Sequence, residues 1–263
     1  MQVCVSSEYD ETEMTQRSRT VLITGSSSGL GAGMAREFAA RGYDLALCAR
    51  RTERLVELQR ELASAFDVRV EIRALDVNEH EQVFAVFNEF AQVFGHLDRI
   101  VVNAGIGEGR RIGTGHFGTN LRTAETNFIA ALAQCEAAVE ILRRQGSGHL
   151  VVISSMSAKR GLPRHLTTYA ATKAAVAHLA EGIRAELIKT PIKVTTLFPG
   201  YIRTELNAAA KKLPFELQER VGCQHMVKAI EREPAEACVP GWPWSLVGIL
   251  MQTLPLRWVA RMN

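Results

Sequence analysis

The 263-residue sequence predicts one α/β domain, a doubly wound parallel sheet with helices on both faces. Three observations carry that expectation. Short apolar runs alternate with amphipathic helical stretches from residue 20 to residue 200. The runs are continuously apolar, as strands covered on both faces must be. A glycine cluster separates the first run from the first helix, and no repeat or linker divides the chain.

The elements follow in order. TVLIT (20–24) is the first strand, and GLGAGMAREFAA (29–40) the first helix, with Gly42 placed to end it. DLALCAR (44–50) is a second buried strand, and TERLVELQRELASAF (52–66) an amphipathic helix. VRVEIRALDV (68–77) is a third strand. Phe and Val recur at three and four residues through 79–95, which marks a helix. DRIVVNAG (98–105), HLVVISS (149–155) and IKVTTLFPG (192–200) supply three more strands, with helices at 120–145 and 166–189 between them.

Composition limits the function. Hydrophobic residues make up 47% and charged residues 22%, enough apolar surface to exclude dominant disorder. The net charge is +3 with acids and bases interleaved, so no nucleic-acid partner is expected. The five cysteines (Cys4, Cys48, Cys135, Cys223, Cys238) are odd in number, widely spaced and without a CxxC pair. They suggest neither a disulfide framework nor a zinc site, and a cytoplasmic, reducing location is expected. The seven histidines have no HExxH-like spacing, so no metal is expected. Residues 1–18 hold four acids and no apolar core of signal-peptide length, and read as a flexible extension. A catalytic domain is expected over 19–240 and a Trp/Pro-rich tail over 241–263.

The chemistry starts at Thr24-Gly25-Ser26-Ser27-Ser28-Gly29-Leu30-Gly31, between strand and helix. Gly25 suits a tight turn, and Gly29 and Gly31 would let the backbone approach a pyrophosphate at the helix N-terminus. The second strand ends in Ala49-Arg50-Arg51, with no acid for a ribose 2′-hydroxyl. Arg50 and Arg51 would suit a 2′-phosphate, so NADP(H) is expected over NAD(H); a solvated helix start would look the same. Tyr169 and Lys173 form YxxxK, which places a phenol and an ammonium on one helix face. The ammonium together with a positively charged nicotinamide is expected to lower the phenol pKa, fitting it for proton transfer with a carbonyl or an alcohol.

TGxxxGxG, the later NAG, the paired serines, YxxxK and PGxxxT occur in an order that resembles the short-chain dehydrogenase/reductase family over about residues 19–240. The resemblance implies a Rossmann-like fold and direct hydride transfer between nicotinamide and a carbonyl or secondary alcohol. It implies that Ser27, Ser28 and Leu30 line the coenzyme with the glycines, that Asp76 and Val77 meet the adenine, and that Asn103, Ala104 and Gly105 pass close to it. Ser155 would hold the substrate oxygen, with Ser157 a weaker competitor. Asn127 would hold a water and link Lys173 to solvent. Pro199, Gly200, Ile202 and Thr204 would meet the nicotinamide amide or a phosphate. Capping and turn roles for Asp76, Asn103 and Thr204 stay open.

The resemblance also implies a substrate lid over 205–233, where Leu206, Leu213, Phe215, Leu217 and Val221 suggest a hydrophobic small-molecule substrate or equally a lid packed on the protein itself. It implies a homodimer or homotetramer formed through the helices carrying Asn127 and Tyr169. Reduction is the expected direction. In 241–263 the tail either packs over the pocket or a neighbouring subunit, or lies peripherally on a membrane through Trp242, Trp244 and Trp258 with Arg257 and Arg261. The alternatives to an oxidoreductase are a non-catalytic NADP-binding regulator and a membrane-surface interaction protein.

Overall fold

The computed structural model describes residues 18–207, 213–259 and 261, so the expected extension 1–18 lies outside the described residues except for Ser18. Seven parallel strands form one sheet in the order β3-β2-β1-β4-β5-β6-β7. They are β1 (Thr20–Thr24), β2 (Asp44–Ala49), β3 (Val70–Ala74), β4 (Arg99–Val102), β5 (Gly148–Ile153), β6 (Ile192–Pro199) and β7 (Glu236–Val239). The first six match the expected strands to within a few residues at their ends. The seventh, β7, has no apolar run to announce it, because its four residues EACV form a half-exposed edge between Pro234 and Pro240.

The chain winds outward from β1 to β3, then crosses to β4 and winds outward to β7. The order therefore reverses between β1 and β4, and the loops that leave those strands part to open a crevice at their carboxyl ends. The inner strands are mainly apolar because successive residues serve opposite, covered faces. Leu22 joins a core with Val83, Phe87, Phe90, Ile100 and Leu150 under α3 (His80–Phe94) and α5 (Ala130–Gln145). Val21 and Ile23 join the other, with Phe38, Leu45, Leu47 and Met226, under α1 (Gly29–Ala39), α2 (Thr52–Ala65) and α7 (Glu219–Glu231).

Two expected boundaries change. The helix expected over 120–145 begins earlier, as α4 (Phe117–Ala124), and reaches α5 through a π turn at Glu125–Ile129 that carries Asn127. The lid expected over 205–233 is shorter. The segment 219–231 is α7, which buries Cys223, Met226, Val227 and Ile230 against α1. That packing is close: a Cβ on Gly33 would sit 2.4 Å from Cys223 Sγ. Residues 208–212, in the segment before α7, lie outside the described residues. After β7 come α8 (Gly241–Thr253) and α9 (Leu256–Val259).

Candidate active site

The glycine loop leaves β1 in the left-handed region at Gly25 (φ +65°) and again at Gly29 (φ +53°), where a Cβ would strain the backbone. Ser28 caps α1, but its side chain makes no bond to the first-turn amides. Those amides remain free to meet an anion. Gly31 also has a packing use. A Cβ there would lie 2.3 Å from the Gly25 carbonyl oxygen, so the bare Gly31 lets the helix pack on its own loop. Thr204 does face the loop: a Cβ on Gly29 would lie 3.3 Å from its Cβ. Leu30 is half-buried and packs on the α1-side core.

Thr24 and Asn103 lock the two diverging loops together. The Thr24 hydroxyl accepts from the amides of Asn103 (3.0 Å) and Ala104 (3.1 Å), while Asn103 Nδ2 donates to the Thr24 carbonyl at 2.8 Å. Ala104 packs so near Gly25 that a Cβ on Gly25 would lie 2.9 Å from its Cα.

The end of β2 is cationic. Arg51 lies across the glycine loop, donating to Ser28 Oγ (2.5 Å) and Ser27 Oγ (3.3 Å), and its other arm reaches Glu205 Oε2 at 3.1 Å. Arg54 pairs with the same carboxylate. Hydrogen bonds from Arg54 and Arg51 hold the Glu205 carboxyl below the usual range. Arg50 extends into solvent with one loose contact, 3.8 Å to Asp76 Oδ2. The other oxygen of Asp76 accepts from the backbone and side-chain amides of Asn78, which closes a local turn beside the buried Val77.

The reactive groups gather at the end of β5. Ser155 follows the strand, and α6 (Leu166–Leu187) brings Tyr169 close enough for the Ser155 side chain to act on its phenol. Ser155 Oγ also accepts from the amide of Ser157, whose own hydroxyl is buried and unpaired. One turn along α6, Lys173 Nζ donates to the Ile153 carbonyl at 2.9 Å and lies 5.9 Å from the Tyr169 ring centre. YxxxK thus turns one helix face toward one strand end. A Cβ on Gly105 would lie 3.1 Å from Asn127 Oδ1 and 3.5 Å from Lys173 Nζ, which brings Gly105, Asn127 and Lys173 to one point. Asn127 grips the loop after β4, accepting from the Ile106 amide (2.7 Å) and donating to the Ile106 carbonyl (2.8 Å).

The electrostatics correct one expectation. The Tyr169 phenol is not lowered by its lysine. Burial raises its pKa, and the hydrogen bond with Ser155 offsets that only in part. The Lys173 ammonium itself is pushed down to about 8 by burial. Its Nζ is also committed to the Ile153 carbonyl, which limits what it can do for the phenol.

On the far side, Pro199 ends β6, and Gly200 carries the flat of Trp244 from α8. The indole forms edge-to-face contacts with Tyr201 (5.2 Å) and Phe215 (6.3 Å), and Met156 and Phe198 complete the cluster. Ile202 is buried beside α7, where a Cβ on Gly222 would touch it. Thr24, Glu205 and Trp244 were missed as site residues. Only Trp244 had a signal, as an aromatic in a tail that the sequence already placed over the pocket or on a membrane. No group of three or more His, Cys, Asp or Glu able to hold a metal occurs among the described residues.

The short chain dehydrogenase family model matches residues 19–213. An uncharacterized oxidoreductase of Mycobacterium tuberculosis is 50% identical over 92% of this chain and 96% of its own. A short-chain dehydrogenase from Sphingobium yanoikuyae, solved in complex with NADPH, superposes with a TM-score of 0.76 at 28% identity, over 90% of this chain and 96% of that one. A short chain dehydrogenase/reductase from Burkholderia phymatum, solved with NAD, superposes at 0.80 over 94% and 96% with 19% identity, a likeness of fold alone.

Proposed function

The chain belongs to the short-chain dehydrogenase family and is an oxidoreductase of that type; from this premise we propose that it is an NADP(H)-dependent carbonyl reductase acting on a hydrophobic substrate. The observation that carries the reading is the gathering of Ser155, Tyr169 and Lys173 at the end of β5, with Tyr169 and Lys173 one turn apart on the same face of α6. The residues fit a dinucleotide: an uncapped helix N-terminus follows a left-handed glycine loop, and two arginines stand at the end of β2.

When bound, the coenzyme supplies or accepts the hydride at its nicotinamide. The residues of the chain do the rest. Ser27, Ser28, Gly29 and the first turn of α1 would hold the pyrophosphate, and Arg51 with Arg50 the 2′-phosphate. Asp76 and Val77 would border the adenine. Ala104 and Gly105 would form the near wall, and Pro199, Gly200, Ile202 and Thr204 would seat the nicotinamide end. Ser155 would orient the substrate oxygen, and Tyr169 would give it a proton in reduction. Lys173 would hold the ribose. Asn127 would fix the loop after β4 and hold a water that leads protons toward Lys173.

An apolar substrate is supported by Tyr201, Phe215 and Trp244 beside the nicotinamide segment. A homo-oligomer is supported by the exposed Phe117, Leu121 and Ile129 along the path from α4 to α5. A cytoplasmic site is supported by the free thiols of the described cysteines.

The test is loss of the reduced-nicotinamide absorbance band with a panel of aldehydes and ketones. Tyr169→Phe should lower turnover by about 10²–10⁴-fold and still bind coenzyme. Turnover that survives in Tyr169→Phe overturns the mechanism. Larger thermal stabilisation by NADH than by NADPH overturns the coenzyme assignment.

A further inference from the structure

The tail has two faces with opposite environments. Trp244, Gly248 and Met251 turn inward on α8, and Trp244 joins the aromatic cluster. Leu246, Ile249 and Leu250, spaced i, i+3 and i+4, point away from the protein and are exposed. Trp242 precedes them with 76% of its surface in solvent, and Leu256 and Trp258 (57%) extend the same character through the last turn. Arg160 fixes the corner between the two helices by donating to the carbonyls of Gln252 and Leu254. Six large apolar side chains thus stand in water on one short, anchored segment, which a free globular surface rarely shows.

The charge says what would cover them. From Pro240 to Asn263 the sequence has no Asp or Glu. Arg257 and Arg261 are both exposed, and neither has a carboxylate at ion-pairing distance among the described residues. Apposing this face with a second copy would bring arginines toward arginines, with no acid in the segment to answer them. An anionic lipid surface answers both features: phosphates for the arginines, and the headgroup boundary for two tryptophans that bracket a row of leucines and an isoleucine.

We propose that the outer face of α8 and α9 docks peripherally on an anionic membrane surface. No helix among the described residues is long and apolar enough to cross one, so the contact lies in the plane of the headgroups. The proposal stands apart from the hydride-transfer reading, since none of its residues belongs to the site.

The experiment uses the full chain with vesicles of phosphatidylcholine alone or of phosphatidylcholine with about one-third phosphatidylglycerol. The wild-type chain should pellet with the anionic vesicles, and its tryptophan emission should shift to the blue. Trp242→Ser/Ile249→Ser/Trp258→Ser should cut vesicle partition about tenfold or more. Arg257→Gln/Arg261→Gln should remove the preference for anionic vesicles. Thermal midpoints close to wild type check that the variants are folded. A wild-type chain that stays in the supernatant with both vesicles overturns the proposal, as does a triple variant that pellets equally well. A triple variant that instead converts a larger species to a smaller one in velocity sedimentation, with no vesicle binding by either protein, assigns the face to a second copy.

Discussion

Gly200→Ala tests how the tail bears on the site. The added methyl would lie 2.1, 2.2 and 2.6 Å from Cε2, Nε1 and Cδ2 of Trp244. Ordinary carbon contacts begin near 3.5 Å, so the indole or the backbone must move. The ring has little room to retreat, being buried edge-to-face against Tyr201 and Phe215 with Met156 and Phe198 in the same cluster. Overpacking of this kind costs about 1–3 kcal/mol. For a domain of this size that is a fall of roughly 3–10 °C in Tm. Part of the strain should pass into the Pro199–Thr204 segment and raise KM for the coenzyme. Trp244→Ala alone should cost about 3–5 kcal/mol through the cavity it leaves. The double variant should be no less stable than Trp244→Ala, because the clash goes with the ring. Thermal melts of all four proteins close the cycle. A Gly200→Ala protein that melts like wild type, or a double variant whose losses simply add, would refute the wedged-indole argument.

Two further outcomes are expected. Lys173 is held at about 8 against an ordinary 10.5, so the unfolded chain binds more protons than the folded one between pH 8 and 10. The contribution of this group to stability therefore rises with pH across that window, by up to about 3 kcal/mol. Lys173→Met should melt with a less positive slope of Tm against pH between 7 and 9.5, and equal slopes would refute it. Glu205 ties up Arg51 and Arg54 from across the crevice. Glu205→Gln should lower KM for NADPH several-fold at low salt and leave KM for NADH unchanged, since only a 2′-phosphate competes for those arginines. The pair is exposed, so the difference should fade in about 1 M salt. Equal changes for both coenzymes would separate Glu205 from the phosphate subsite.

The legible parts of this fold are those where local pattern and tertiary environment agree. β1, β2, β4, β5 and β6 are apolar on both faces, and their limits are visible as runs of Val, Ile and Leu. β7 is illegible because an edge strand needs few apolar residues, and EACV offers only three, between two prolines. α7 was placed in a lid because its polar outer face, with Arg220, His225 and Lys228, hides the inward row of Cys223, Met226, Val227 and Ile230. Within the site, YxxxK and the glycine loop are local geometries that spacing alone can specify. The convergence of Ser155 with Tyr169, fourteen positions further on, is implied only by the family resemblance. Glu205 and Trp244 could not be placed from spacing. Their partners lie 154 and 44 residues away in sequence, at Arg51 and Gly200, and only the closed sheet brings them together.

The raised Tyr169 pKa changes the chemical argument more than it weakens it. The expectation took the ammonium as a charge acting on the phenol. In the folded chain, that ammonium is buried, tied to the Ile153 carbonyl, and close to giving up its own proton at neutral to alkaline pH. A buried phenol beside it stays protonated, and the protonated form is the one a carbonyl needs from its donor. Alcohol oxidation needs the phenolate, and burial opposes that form until another positive charge enters the crevice. The free site is therefore set for proton donation. The proposed reduction would draw on two separate groups, the Tyr169 phenol on α6 and Arg51 after β2.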